Sequence, residues 1–167
     1  MEISADKVKE LRQKTGAGIM DCKKALTEAG GNFDKACDMI TESGLAIAKK
    51  KSERSAEQGV IECYVHTGSH LGVMVELNCE TDFVARTPEF KELAHNIALQ
   101  VSAMSPQCVA RDDIPAGVEG DPAALCLLLQ PFIKDPAKSI QDIITETVAK
   151  TGENIKVRRF VRFELGY

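Results

Sequence analysis

The sequence predicts an α+β protein: a small three-helix bundle followed by an antiparallel sheet covered by helices. Three observations carry that prediction. Apolar residues recur at helical spacing in three short stretches before residue 52. Alternating apolar and polar residues then mark a hairpin over 61–79. A strongly capped helix after Thr87 and a last alternating stretch at 155–165 complete a sheet with helices on one side.

Ser4 is placed to cap the first helix, with Ile3 before it and Val8 inside it set as a hydrophobic staple; Val8 and Leu11 share the inner face. Thr15-Gly16-Ala17-Gly18 breaks that helix. Ile19, Cys22, Leu26 and Ala29 form one stripe of a second, which stops at Gly30-Gly31. Asn32 caps a third, bearing Phe33, Ala36, Cys37 and Ile40, that is expected to end at Gly44. The polar run 49–55 reads as a linker or a frayed helix end. It divides the chain into a module of residues 1–52 and a core of residues 53–167.

In the hairpin, Ile61, Cys63 and Val65 alternate with Glu62, Tyr64 and His66, and Val73, Val75, Leu77 and Cys79 alternate with Met74, Glu76 and Asn78. If both apolar sets face one core, paired residue numbers must sum to an even value, which sets Ile61 opposite Leu77 or Val75. A slip of one residue would put Ile61 against Glu76 and bury a carboxylate. Thr87 at the cap and Pro88 at the first helical position then open a helix whose stripe is Phe90, Leu93, Ala94, Ile97, Ala98, Val101 and Met104. Residues 107–136 are rich in Pro and Gly and read mostly as loop; the apolar run 125–129 fits a strand or a helical turn. Ile140, Ile143, Ile144 and Val148 mark a helix ending near Gly152. The closing strand sets Ile155, Val157, Val161, Phe163 and Leu165 on one face, and Lys156, Arg158, Phe160, Arg162 and Glu164 on the other.

Composition excludes several functions. The chain has 167 residues, too few for a large multidomain enzyme, and none of its apolar runs approaches the roughly 20 residues a membrane helix needs. The first fifteen residues are studded with charge, so no secretory leader is expected, and a soluble cytoplasmic protein is. Net charge is −4, and residues 52–167 hold eleven Lys/Arg against seventeen Asp/Glu. That balance argues against direct nucleic-acid binding, which draws much of its affinity from basic surface. The strand 158–163 does mix bases with aromatics as RNA-binding strands do, so an RNA- or ribosome-associated module is the alternative function. A sheet whose outer face is charged, with long Arg stems over apolar surface, explains the same residues. The six cysteines include no CxxC pair and read as reduced core thiols. Cys63, His66, His70 and Cys79 invite a zinc reading, but three residues along a strand reverse the side, so Cys63 and His66 point apart. His95 flanks its helix stripe and reads as a surface residue. With no GxSxG, HExxH or phosphate-binding glycine loop, neither enzymatic chemistry nor a cofactor or metal is expected.

One segment stands out. Glu80-Thr81-Asp82-Phe83-Val84-Ala85-Arg86 joins the second strand to the helix capped by Thr87. Such connectors favour Gly, Asn, Asp and Ser, yet this one carries one of the chain's six phenylalanines. Either Phe83 folds back on the core while Asp82 makes a local turn bond, or Phe83 protrudes as an anchor for a partner's pocket and Asp82 supplies a directed hydrogen bond.

The stretches Val8-Lys9-Glu10-Leu11-Arg12 and Thr15-Gly16-Ala17-Gly18-Ile19-Met20-Asp21-Cys22-Lys23-Lys24-Ala25-Leu26 together resemble the first signature of the bacterial translation elongation factor Ts family. Glu76-Leu77-Asn78-Cys79-Glu80-Thr81-Asp82-Phe83-Val84-Ala85 resembles its second. Gly152-Glu153-Asn154-Ile155 and Arg162-Phe163-Glu164-Leu165-Gly166 match as well, so the resemblance spans 2–105 and 129–166. It implies a guanine nucleotide exchange factor that binds the GDP form of elongation factor Tu and promotes GDP release, and an N-terminal bundle like a ubiquitin-associated domain. It also implies that Thr81, Asp82 and Phe83 contact the GTPase, Phe83 wedging between helices near its magnesium site, and that Arg12, Ile19, Met20 and Lys23 contact it from the bundle. Ile19 stands where the family often has methionine and keeps the apolar character. On this resemblance Phe83 protrudes. Long relatives carry a second, pseudo-repeated half-core and a C-terminal helix; here residues 107–124 lack a helical pair, and one sheet edge needs a cover. A homodimer through the 53–167 core, with the closing strand taking part and no disulfide on it, is the expected cover.

Overall fold

The structure is a computed structural model and describes residues 3–166; Met1, Glu2 and Tyr167, which the expected module and core include, lie outside the described residues. Three helices open the chain. In α1 (Ala5–Thr15) the Ser4 hydroxyl accepts the Lys7 amide at 3.4 Å, and the helix closes on Gly16 at φ 68°. Glycine suits that left-handed cap twice over, since the Lys150 side chain occupies the place a Cβ would take. Helix α2 (Ile19–Glu28) buries Cys22, Ala25 and Leu26, and Asn32 Oδ1 caps α3 (Phe33–Lys51) by accepting the Lys35 amide at 3.0 Å. Val8, Leu11, Cys22, Leu26 and Ala36 centre a small apolar cluster, with Ile3 and Phe33 packed on its margin.

Helix α3 does not end at Gly44. It runs through it to Lys51, and Gly44 is buried where a Cβ would lie 3.5 Å from that of Ala149. A glycine inside a helix costs about 1 kcal/mol relative to alanine and does not stop it when tertiary packing continues the helix. The second half of α3 therefore leaves the small cluster and packs, through Ala48, on the larger one.

That larger cluster lies under a three-stranded antiparallel sheet. Strands β1 (Gln58–Val65) and β2 (Leu71–Cys79) form the hairpin, a single helical turn α4 (Asp82–Ala85) leads into α5 (Pro88–Met104), and the last strand, β5 (Lys156–Glu164), completes the order β1-β2-β5. The Thr87 hydroxyl caps α5 by accepting the Phe90 amide at 3.3 Å. Phe90, Ala94, Ile97, Ala98 and Val101 are fully buried, whereas Met104 is exposed. Buried Gln100 on the same helix donates to the Gln130 carboxamide and the Pro131 carbonyl, and its oxygen accepts the Ile133 amide, ordering the turn beneath.

Residues 107–129 hold no strand pair of their own: Pro122–Leu125 is a helical turn (α6), and 127–129 is a second, tighter one, which settles the 125–129 ambiguity as helical. Cys108 and Cys126 meet there, both buried thiols with sulfurs 3.4 Å apart. Burial pushes the Cys108 thiol up to about 11, with Cys126 adding to the shift. A short hairpin of β3 (Pro131–Phe132) and β4 (Asp135–Ser139) leads into α7 (Ile140–Thr151), which buries Ile140, Ile143, Ile144 and Val148 and caps on Gly152.

The hairpin register is one residue off the expected one. Ile61 pairs with Glu76, Glu62 with Val75 and Tyr64 with Val73. Val60 and Tyr64, not Ile61, Cys63 and Val65, share the core side with Val73, Val75 and Leu77. The parity rule is sound, but its premise that both apolar sets face one core is false. Glu76 escapes burial because it sits on the outer face, where Arg159 Nε reaches it at 2.7 Å and Arg158 Nε at 3.7 Å. In β5 (Lys156–Glu164) the pairing shifts between Glu76–Arg159 and Leu77–Val157, leaving Arg158 as an extra residue in a bulge. Beyond the bulge the inner and outer positions exchange. Phe160 packs on the core, whereas Val161, Phe163 and, after the strand, Leu165 are exposed, contrary to the single-face expectation.

Candidate partner-binding site

The connector after β2 is built to hold one side chain outward. Thr81 is the N-cap of α4, its hydroxyl oxygen accepting the Val84 amide at 3.3 Å. Val84 and Ala85 face the core and anchor the turn, while Phe83 just before them is 78% exposed, the most exposed of the large apolar side chains described. The protruding geometry is the one found. Asp82 lies beside it, also exposed, and its carboxylate accepts from Arg86 Nη2 at 2.7 Å, one helical turn along. An exposed pair of this kind adds little stability, but it fixes where the carboxylate points.

A polar platform supports the turn. Glu153, in the loop after α7, accepts the Glu80 amide at 3.1 Å and the Thr81 amide at 3.0 Å through Oε2, and the Thr81 hydroxyl at 2.6 Å through Oε1. Glu80 returns the contact: its Oε1 accepts the Asn154 amide at 2.7 Å, and its Oε2 meets Arg54 Nη1 at 3.5 Å. The Asn154 amide bond, with Arg54 nearby, holds the Glu80 carboxyl below the usual carboxylate range. Asn154 is buried and donates to the Ser52 and Arg54 carbonyls, and Lys51 donates to the Gly152 carbonyl. Beneath them Cys79 donates to the Thr81 carbonyl at 3.1 Å; burial, then the nearby Glu153 charge, raises its thiol.

Of the residues expected on the helical bundle, Ile19 and Met20 are 58% and 73% exposed, and Lys23 shares their face one turn along α2. Ile19 is thus off the buried stripe on which periodicity placed it. Arg12 is exposed in the last turn of α1. The two groups, Thr81-Asp82-Phe83 and the bundle residues, sit over different apolar clusters. Sequence reasoning assigned no role to Glu80, Glu153 or Asn154. The signal was present, since Gly152-Glu153-Asn154-Ile155 stood among the matching stretches, but their partners lie more than seventy residues away and no local pattern pairs them.

Other candidate residues are structural. Cys63 is exposed on the outer sheet face and Cys79 is buried under the connector, and no group of three or more His, Cys, Asp or Glu among the described residues is placed to hold a metal ion. His66 Nδ1 lies 3.0 Å from the Tyr64 hydroxyl, and His95 Nδ1 lies 3.0 Å from Glu62, tying α5 to the edge of β1. The arginines of 158–163 are engaged by carboxylates: Arg158 and Arg159 by Glu76, and Arg162 by Glu164 at 2.6 Å. None of the described helices is long and apolar enough to cross a membrane.

Comparison with known proteins bears on the same residues. A family model described as elongation factor Ts matches residues 3–120. An elongation factor Ts of Thermodesulfovibrio yellowstonii is 49% identical over 195 aligned residues, covering 99% of this chain and 98% of that protein. One of Carboxydothermus hydrogenoformans is 48% identical over 194, covering 98% and 89%, and one of Thermoanaerobacter sp. is 46% identical over 194, covering 98% and 95%. These aligned spans exceed the 167 residues of this chain, so the relatives carry residues with no counterpart here.

Proposed function

This chain belongs to the elongation factor Ts family, and on that premise we propose that Phe83 is the side chain with which it opens the nucleotide site of elongation factor Tu. The family role is nucleotide exchange in translation elongation, with elongation factor Tu as the partner. The observation that carries the reading is a phenylalanine 78% exposed at the tip of a turn whose next two residues, Val84 and Ala85, are buried. An exposed aromatic on a braced turn has no task in this fold, whereas a buried aromatic anchor in a partner's pocket is worth 2 kcal/mol or more, as a rough guide.

Linkage then dictates how it works. An exchange factor shifts the GTPase only by binding its nucleotide-free state more tightly than its GDP state. Whatever free energy Phe83 and its neighbours gain in the opened site is withdrawn from GDP, and GDP weakens the factor by the same factor. Thr81 orients the turn, Asp82 offers a carboxylate whose direction Arg86 sets, and Phe83 enters. Ile19, Met20, Lys23 and Arg12 form the second contact, an apolar pair rimmed by two cations, on a module of residues 1–52 that has its own apolar cluster and joins the core of 53–167 through the end of α3. That module is like a ubiquitin-associated domain in being built of three helices, the third extended to Lys51. No covalent step, cofactor or direct nucleic-acid contact enters the reading, and the protein acts in the cytoplasm.

The same reading includes a homodimer. Support comes from the outer sheet face, where Ile61, Val65, Met74, Val161 and Phe163 are 54%, 63%, 46%, 40% and 69% exposed around the paired Glu76 and Arg159. A contiguous apolar face with both charge signs on it suits a twofold contact with a second copy. The face, rather than the edge of the closing strand, is the surface a partner copy would cover. Sedimentation equilibrium with a reductant present tests this: a species near 18.2 kDa at tens of micromolar refutes the dimer. The exchange reading is tested by release of fluorescent GDP from elongation factor Tu. Acceleration at substoichiometric amounts of this protein is expected, and no acceleration at a large excess rejects it.

A further inference from the structure

We infer that Glu153 is the positioning residue of the wedge: its carboxylate holds the turn 81–85 in the pose that presents Phe83, an inference resting on the exchange reading above. The turn needs such a holder. A single helical turn fixes several backbone torsions for one or two hydrogen bonds and does not sustain itself. Its amino end also leaves amide donors without helical partners. A wedge that yields when it meets the closed nucleotide site transfers no free energy to that site, so the stiffness of its base sets how much of the anchor's contact is realised.

Glu153 supplies that stiffness. One oxygen takes two successive amides, those of Glu80 and Thr81 at 3.1 and 3.0 Å, and the other takes the Thr81 hydroxyl at 2.6 Å. Charge-assisted bonds of this type are shorter and about twice as strong as neutral ones. The hydroxyl that Glu153 orients is the same one that caps α4 by accepting the Val84 amide. Among the described residues Glu153 has no ion pair, so its charge is committed to these donors. Glu153 is itself held. Its own amide donates to the Thr151 hydroxyl, and the next residue, Asn154, gives its amide to Glu80, so 80 and 153–154 clasp each other in both directions. Glu153 touches no surface that Phe83 presents; it acts through Thr81.

The test is GDP release from elongation factor Tu measured against factor concentration, for Glu153→Ala and Glu153→Gln in the native background and in Phe83→Leu, which keeps part of the anchor. Glu153→Ala should lower the maximal rate about tenfold with little change in the half-saturating concentration, because the missing interaction belongs to the opened state. Glu153→Gln keeps an acceptor for the two amides and should recover to within about threefold of the native rate. In the Phe83→Leu background the Glu153→Ala loss should shrink to about twofold or less, since two groups acting through one wedge are not additive. A merely structural role would give the same loss in both backgrounds, and that additivity overturns the inference. If Glu153→Ala fails to fold, the cycle is run with Glu153→Gln, and full additivity there overturns it equally. If Phe83→Leu and Phe83→Ala exchange normally, the wedge reading itself has failed. If they are impaired while Glu153→Ala is not, the wedge stands and Glu153 does not position it.

Discussion

The two proposed contact regions of this molecule are held in place by different physics. Ile19, Met20 and Lys23 ride on α2, a ten-residue helix whose orientation depends on a small apolar cluster of mostly short side chains, several of them alanines and a cysteine. Phe83 rides on a four-residue turn that could not exist alone, yet it stands over the large cluster and is tied down by charge-assisted bonds to Glu153. The first is a regular element on a thin core; the second is an irregular element on a thick one. Non-directional apolar packing suffices to hold a recognition surface that needs only to be found by its partner. A part that must push on its partner needs directional bonds, which resist small displacements in a way that apolar contact does not.

The contrast breaks most visibly at Leu26. Leu26→Ala removes a fully buried side chain from the thin cluster and should cost about 2–5 kcal/mol. That loss is large against so small a core, so the helical bundle should melt at lower temperature while the sheet persists. Two transitions by circular dichroism are expected, and a single shifted one would show that α3 welds both clusters into one cooperative unit. Phe83→Ala should do the opposite. It leaves melting unchanged, because the side chain is exposed, and reduces exchange by about 2 kcal/mol or more, some thirtyfold. A melting temperature several degrees lower with normal exchange would make Phe83 a packing residue.

Met20→Ala should be milder, about 1 kcal/mol, and should appear as a raised half-saturating concentration with the maximal rate kept. A fall in maximal rate instead would mean that the bundle also works on the opened state. The smallest effect concerns acid. The folded state holds Glu80 below its ordinary value of 4.5 through the Asn154 amide and Arg54, so its contribution is present above that value. It is lost as pH falls from there through the lowered folded value. Melting of the native protein should therefore decline more steeply over that window than melting of Glu80→Gln. Parallel curves would show that the clasp is not sensed in global stability.

The helices were legible because their signals are local. Ser4, Asn32 and Thr87 cap where their side chains and the following stripes say they should. Gly44 misled because a glycine reads as a stop only if nothing beyond it packs, and what packs beyond it, α7, lies a hundred residues on. The strands misled for a physical reason as well. Alternation in β1 is genuine, but Ile61, Cys63 and Val65 are apolar on the side that faces outward, and period alone cannot say which side is in. At the site, the unusual phenylalanine was visible and its bracing was not, since acceptors supplied from Glu153 leave no trace near residue 81.

The bulge at Arg158 has a consequence for how such a chain can change length over generations. A strand is written in a two-letter alternation, and the extra residue resets that alternation halfway along β5, so that Val157 and Phe160 both turn inward. Losing one residue at the bulge would leave every remaining position on its side, because Val157 and Phe160 would then be one outward residue apart in ordinary alternation; losing Val161 instead would swing Phe163 under the sheet and Arg162 out. Substitutions in this strand alter one position each and a deletion at the bulge alters none of the others, whereas a deletion beyond the bulge rewrites every position after it. The turns between 107 and 129 carry no such alternation, and length can be gained or lost there while the sheet keeps its sides.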